Sequence, residues 1–363
     1  MTTLTSQTPG SPKDHGPVDV HRELYGAQLP SWGPKAVLGG AVVVAALLYV
    51  VADVNLMLAA LVVFALSLLL PAWSAAVEGR RKATDRLVTV LVTSSFVLAM
   101  FPLFSILYTV VDKGTKVLGV NFFTFSMRNV VGEGGGIYHA LVGTLLITGA
   151  AAVISVPIGL FTAIYLVEYS EGNRLSRWIR FLVDVMTGIP SIVAGLFAYA
   201  LFVLFFGEGV RMGIGGSVAL SVLMIPVVVR STEEMLKLVP NELREASYAL
   251  GVPKWRTVSK VVLPTALAGI VTGITLAVAR VIGETAPLLI IAGATDSVNF
   301  NLFDGRMASL PVFAYASQRN PGVPPEFSID RAWGAALTLL LIVMLLNLIA
   351  RLVSYFFSPK GER

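Results

Sequence analysis

Arg280 and Glu284 stand four positions apart in "ARVIGETAPLL", residues 279–289, inside a long apolar run. On a helix, that spacing brings both side chains to one face. Arginine stays protonated and presents a planar fork of donors that suits an anion with several oxygens. A glutamate one turn away can hold that cation in a neutral pair while no anion is present. The same two residues also suit a structural ion pair that locks helices together. Arg230, where another apolar run ends, is a second candidate cation, although a basic residue there also serves to orient a membrane helix. Ser191, in "GIPSIVAGLF" (residues 188–197), offers a hydroxyl either to a solute or to its own backbone.

Other chemistries lack their residues. The chain has no cysteine, and its three histidines (His15, His21, His139) are scattered, so neither a metal set nor a nucleophile with its base is present. No GxxxxGK[ST] loop occurs, which removes the backbone cradle and lysine of that type of nucleotide site.

The elements that must position the charged pair follow from composition. Of 363 residues, 55% are hydrophobic and 13% charged, with a mean hydropathy of +0.78. That is too much apolar surface for a soluble core. The chain reads as an all-α polytopic membrane protein. Eight apolar runs are expected as transmembrane helices: 36–52, 56–73, 87–111, 139–167, 181–206, 214–229, 265–292 and 332–356. A helix rising about 1.5 Å per residue needs about 20 residues to cross a hydrocarbon layer of about 30 Å. Residues 1–35, polar and rich in Pro, Gly and Ser, read as a disordered tail and not as a cleaved leader. Residues 36–77 form an accessory hairpin with a tight joint at 53–55, and 358–363 a short C-terminal tail.

Lysine and arginine concentrate in one alternating set of connections, including 80–86, 174–180 and 237–260. Both termini and the 230–262 loop are therefore expected on the cytoplasmic side. The net charge of +5 sits beside membrane segments, where anionic headgroups attract it. The outer segments 112–138 and 295–331 are poor transmembrane candidates and read as connecting loops or as a docking surface. Arg180 and Asp184 are expected to support one helix as an (i, i+4) pair worth roughly a few tenths of a kcal/mol.

The most informative loop is "PNELREASYALGVPKWRTVSKVVLP", residues 240–264. It reads as a helix opening at Asn241, a suitable N-cap, and ending at Leu250, with Gly251 free to take the left-handed conformation. Pro253 suits the first turn of a second short helix. The stretch resembles the EAA motif of ABC importer permeases: Glu-Ala-Ala, three residues, Gly, nine residues, then Ile, any residue, Leu-Pro. Glu245, Ala246 and Ser247 take the first three places, Gly251 follows at the matching spacing, and Val261, Leu263 and Pro264 close it. Serine in the third place and valine for isoleucine are departures. The resemblance implies that this loop docks in a groove of a separate ATP-hydrolysing subunit, with Glu245, Ala246, Ser247, Gly251, Leu263 and Pro264 at the coupling contact.

"GIPSIVAGLF" and "RVIGETAPLL" together are similar to the PstA-type permeases of bacterial phosphate ABC importers, over roughly residues 85–357. That resemblance implies an importer-type six-helix permease domain in the bacterial inner membrane, preceded here by the extra hairpin. It implies no catalysis and no cofactor in this chain, with ATP-Mg held by the partner ATPase. The implied partners are a PstC-like permease, two copies of a PstB-like ATPase and an external PstS-like phosphate-binding protein, with inorganic phosphate as cargo. Arg280, Glu284 and Arg230 fall on family positions associated with the transport path. Two other readings stay open: a permease for another oxyanion such as sulfate, molybdate or phosphonate, and a secondary transporter driven by an ion gradient.

Overall fold

The computed structural model describes residues 28–51, 56–170 and 172–357, and every regular element among them is helical. Residues 1–27, most of the expected tail, lie outside the described residues, as do the 53–55 joint and the tail 358–363. Two compact units emerge, Met1–Ile106 and Leu107–Arg363, divided inside one long helix.

The first unit holds α1 (Gly33–Val51), α2 (Leu56–Ser67), α3 (Leu69–Val77) and most of α4 (Arg80–Gly114). α1 packs along α2. Glu78, with Gly79 at φ +89° behind it, closes the turn between α3 and α4. Its carboxylate accepts from the Leu29 amide at 3.0 Å, the Ser74 hydroxyl at 2.7 Å and the Arg86 guanidinium at 2.8 and 3.0 Å. Burial pushes this carboxyl up, but those donors outweigh it and hold it at about 2, against an ordinary 4.5.

The second unit continues through α5 (Val120–Thr124), α6 (Tyr138–Ile164, ending in a π-turn at Tyr165–Tyr169), α7 (Arg174–Thr187), α8 (Ser191–Phe206) and α9 (Gly213–Lys237). Then come α10 (Asn241–Ala249) and α11 (Lys254–Thr257), which runs through a π-turn at Val258–Val262 into α12 (Leu263–Val281). α13 (Ala286–Ile291), α14 (Leu310–Arg319) and α15 (Pro325–Phe357) complete it.

α9 is the axis of this unit. In its most apolar stretch 61% of residues are buried, against 6% for the span that contains α4, so α9 is wrapped by protein and α4 presents its side chains outward. The main core joins Ile147 and Ala151 of α6, Leu220, Met224 and Val228 of α9, Ala277 and Val281 of α12 and Leu288 of α13. Small residues let the helices approach this closely. A Cβ on Gly159 of α6 would stand 2.6 Å from Val228, and the Ser217 and Ser221 hydroxyls of α9 reach the Ile147 and Ala151 carbonyls of α6 at 3.0 and 3.4 Å.

Seven helices among the described residues are long and apolar enough to cross a membrane, or eight if one bent pair counts as a span, in agreement with the expected number. Two expected spans differ in shape. Residues 181–206 are not one helix: α7 and α8 meet at 109° across residues 188–190. Pro190 keeps the residue before it out of the helical region. Residues 265–292 also break, because Pro287 cannot donate to the Gly283 carbonyl and its ring would clash there. α12 therefore ends at Val281, and α13 begins only at Ala286. The 295–331 segment, expected as a connecting loop or a docking surface, contains α14, whose first residues Leu310 to Phe313 are buried.

Candidate functional site

The 240–264 loop folds as a helix, a glycine turn and a second helix. Asn241 is the first residue of α10 and not its cap; Pro240 holds the N-cap place, and the Asn241 side chain accepts from Arg244 at 3.3 Å. At the other end Gly251 takes φ +72°. Its amide donates to the Tyr248 carbonyl at 2.9 Å and the Val252 amide to the Ser247 carbonyl at 3.2 Å. These are the paired bonds of a Schellman closure. The Ser247 and Thr257 hydroxyls, buried and 2.8 Å apart, tie α10 to α11. Serine at the third motif position thus supplies a bond that alanine could not. Leu250 and Trp255 stand 83% and 59% exposed at the tip, beside exposed Glu245 and Ala246, so the projection ends in an apolar surface.

Its base is pinned by a cluster of charges. Arg244 donates to Glu168 of the α6 π-turn at 2.7 and 3.1 Å, to the Val239 carbonyl at 2.6 Å and to the Leu236 carbonyl at 3.0 Å. On α9, buried Glu233 meets Lys237 at 2.8 Å, Arg180 of α7 at 3.2 Å and Arg230 at 3.9 Å. Arg230 also pairs with Asp184 of α7. The expected Arg180–Asp184 pair is therefore replaced by two cross-helix pairs, because the buried acid on α9 draws Arg180 inward and leaves Asp184 to Arg230. Glu168 and Glu233 were missed in the sequence. Their signal was that each is an acid at the end of an apolar helix, in a region otherwise crowded with Lys and Arg.

Arg280 and Glu284 are not brought together. Arg280 occupies the last turn of α12, where the helix dipole favours a cation, and it is exposed; Glu284 lies beyond the helix end and is half-buried. Among the described residues, no hydrogen bond or ion pair joins Arg280 to Glu284, Arg230 or Ser191. The break that Pro287 imposes removes the i, i+4 geometry on which the pair depended. Ser191 is the first residue of α8, directly after the bend. Four residues on, Gly195 packs against α13: a Cβ there would stand 2.5 Å from the Pro287 Cα.

An unpaired arginine at the depth of an apolar helix is costly unless it faces water or another protein. Among the described residues, Arg280 lies exposed on an uncovered surface. Residues 155–362 match the family of binding-protein-dependent transport system inner membrane components. The phosphate transport system permease protein PstA 1 of Mycobacterium tuberculosis (strain CDC 1551 / Oshkosh) is 48% identical over 279 residues, covering 76% of this chain and 90% of that protein. The chain belongs to the PstA branch of that family. The PstA of Pasteurella multocida (strain Pm70) is 39% identical over 287 residues, with 78% of this chain and 97% of that protein covered. A bacterial alginate ABC transporter, solved with an alginate-bound periplasmic protein, shares the fold at a TM-score of 0.52 and 11% identity, over 75% of this chain and 96% of its own. The PstA-type helix bundle thus carries the helix–turn–helix projection at one end and Arg280 on an uncovered face.

Proposed function

We propose that this chain is the membrane permease of an ATP-driven phosphate importer, forming half of the translocation path. The observation that carries this is the 48% identity to a phosphate permease extending over three-quarters of this chain and nine-tenths of that protein. The other half is a PstC-like permease, two PstB-like ATPase subunits hold ATP-Mg and dock on the α10–α11 projection, and a PstS-like protein delivers phosphate from outside. The termini and the projection face the cytoplasm, in keeping with the lysine and arginine distribution.

The projection is suited to a partner's cleft: its exposed Leu250 and Trp255 form an apolar tip that gains by being covered. Its second helix runs unbroken into α12, which carries the motion to Arg280. Arg280 lies sixteen residues beyond Pro264, about 24 Å along the axis at the rise of an α-helix. Its donor fork meets the anion. Glu284 has no bond to Arg280, so phosphate meets a guanidinium that no carboxylate among the described residues has to release. Arg230, held by Asp184 and Glu233, anchors α7 to α9 at the projection end.

Phosphate uptake by the reconstituted importer tests the reading. Uptake should need ATP and be blocked by excess phosphate but not sulfate, and Arg280→Gln should abolish it while the complex still assembles. Block by sulfate alone would assign the chain to another oxyanion, and ATP-independent uptake on an ion gradient would make it a secondary transporter.

A further inference from the structure

We infer that Glu168 is the positioning residue that makes α6 a further output helix of the coupling loop, beside α12, by holding Arg244 in a buried fork. This rests on the proposed role of the 240–264 loop. The loop is covalently continuous with α9 and α12, so those two helices would be the expected recipients of its motion. The contacts show a third. The Glu168 carboxylate, its side chain 3% exposed, takes two donors from Arg244, whose own side chain is 13% exposed. The remaining Arg244 donors close on the Val239 and Leu236 carbonyls at the end of α9. One guanidinium therefore joins α10, the end of α9 and the end of α6 at a single point. A planar fork bound on three sides fixes direction as well as distance, which a single-point contact does not.

The second arm of the loop reaches the same place. Lys254, the first residue of α11, lies over the Tyr169 ring at 5.4 Å, and Val258 and Val262 pack with Ala163 and Ile164 of α6. Both arms are thus attached to the last turns of α6. Those turns are π-helical, a wider winding whose extra residue lets Glu168 point at the loop. From there α6 runs the length of α9, locked to it by Gly159 against Val228 and by the Ser217 and Ser221 hydroxyls. At its far end Gly143 lies against the Ala308 backbone, beside the start of α14. A displacement of the loop is passed to α6 through Arg244 and Glu168 and delivered to the opposite side of the bundle.

The test uses the complete importer with its partner permease, ATPases and binding protein in proteoliposomes, reading phosphate transported per ATP hydrolysed. Glu168→Gln and Arg244→Gln should each lower that ratio about fivefold, within the range that substitutions along a coupling route produce, while assembly and ATP hydrolysis persist. The double variant should be no worse than either single one, because both remove the same fork. Arg244→Lys, which keeps the charge and loses the fork, should show the same direction of change. A ratio unchanged in all variants would overturn the inference, as would loss of assembly in Arg244→Lys and Glu168→Gln, which would make the pair a folding contact only. Wild-type importer that fails to move phosphate with ATP would instead refute the proposed function, so the two failures are distinguishable.

Discussion

Gly251→Val isolates what the glycine turn contributes to coupling. Gly251 sits at φ +72°, and a Cβ built there meets no heavy atom within 4 Å. Contact at the Cβ therefore adds nothing, and backbone strain sets the cost. A residue with a Cβ is disfavoured in the left-handed region by roughly 1–2 kcal/mol, more when β-branched, and asparagine is among the least disfavoured. Since about 1.4 kcal/mol is a factor of ten, Gly251→Val should deplete the closed turn by about five- to thirtyfold. The bonds from Gly251 to Tyr248 and from Val252 to Ser247 weaken with it. ATP-driven phosphate uptake should then fall steeply while ATP hydrolysis by the assembled importer continues. Gly251→Asn, similar in bulk to valine, should retain most of the uptake. If the valine variant transports normally, or asparagine is as damaging as valine, then conformation at this turn is not what couples the loop.

Three further perturbations address other parts of the chain. Gly195→Ala should destabilise the second unit by about 1–3 kcal/mol despite its better helix propensity, because the new Cβ meets the Pro287 backbone; a lower thermal midpoint in detergent would show it. Ser247→Ala, which restores the family's alanine, removes the short bond to Thr257 and leaves that hydroxyl only a long one to the Pro253 carbonyl at 3.5 Å. Its cost should be about 1 kcal/mol, read as faster hydrogen exchange in α10. Glu78 is depressed in the folded chain to about 2, so its stabilising effect is complete above 4.5 and is lost as pH falls through about 2. Glu78→Gln should therefore exchange faster than wild type at the Leu29 amide at neutral pH, with the difference vanishing once wild-type Glu78 is protonated; a pH-independent difference would contradict the linkage.

Spans, their number and the helix–turn–helix projection were legible because each has a local cause: a run of apolar side chains, a glycine that alone tolerates a left-handed φ without strain, a proline at a helix start. The breaks were legible in principle as well, since Pro190 and Pro287 both stand in the sequence, but hydropathy averages across a proline and reports one span where the backbone makes two. That averaging is what placed Arg280 and Glu284 on one face. Pairing of charges was not legible, because spacing along one helix says nothing about a stronger partner on the next. Arg180 had Asp184 at i+4 and chose Glu233, fifty-three residues away, because a buried carboxylate loses more by standing alone than an exposed one does. The same reasoning separates the two ends of the permease. At the projection end, buried acids collect arginines into fixed cross-helix pairs and the helices are tied together. At Arg280, among the described residues, no acid of this chain pairs with the guanidinium, and the cation stays exposed.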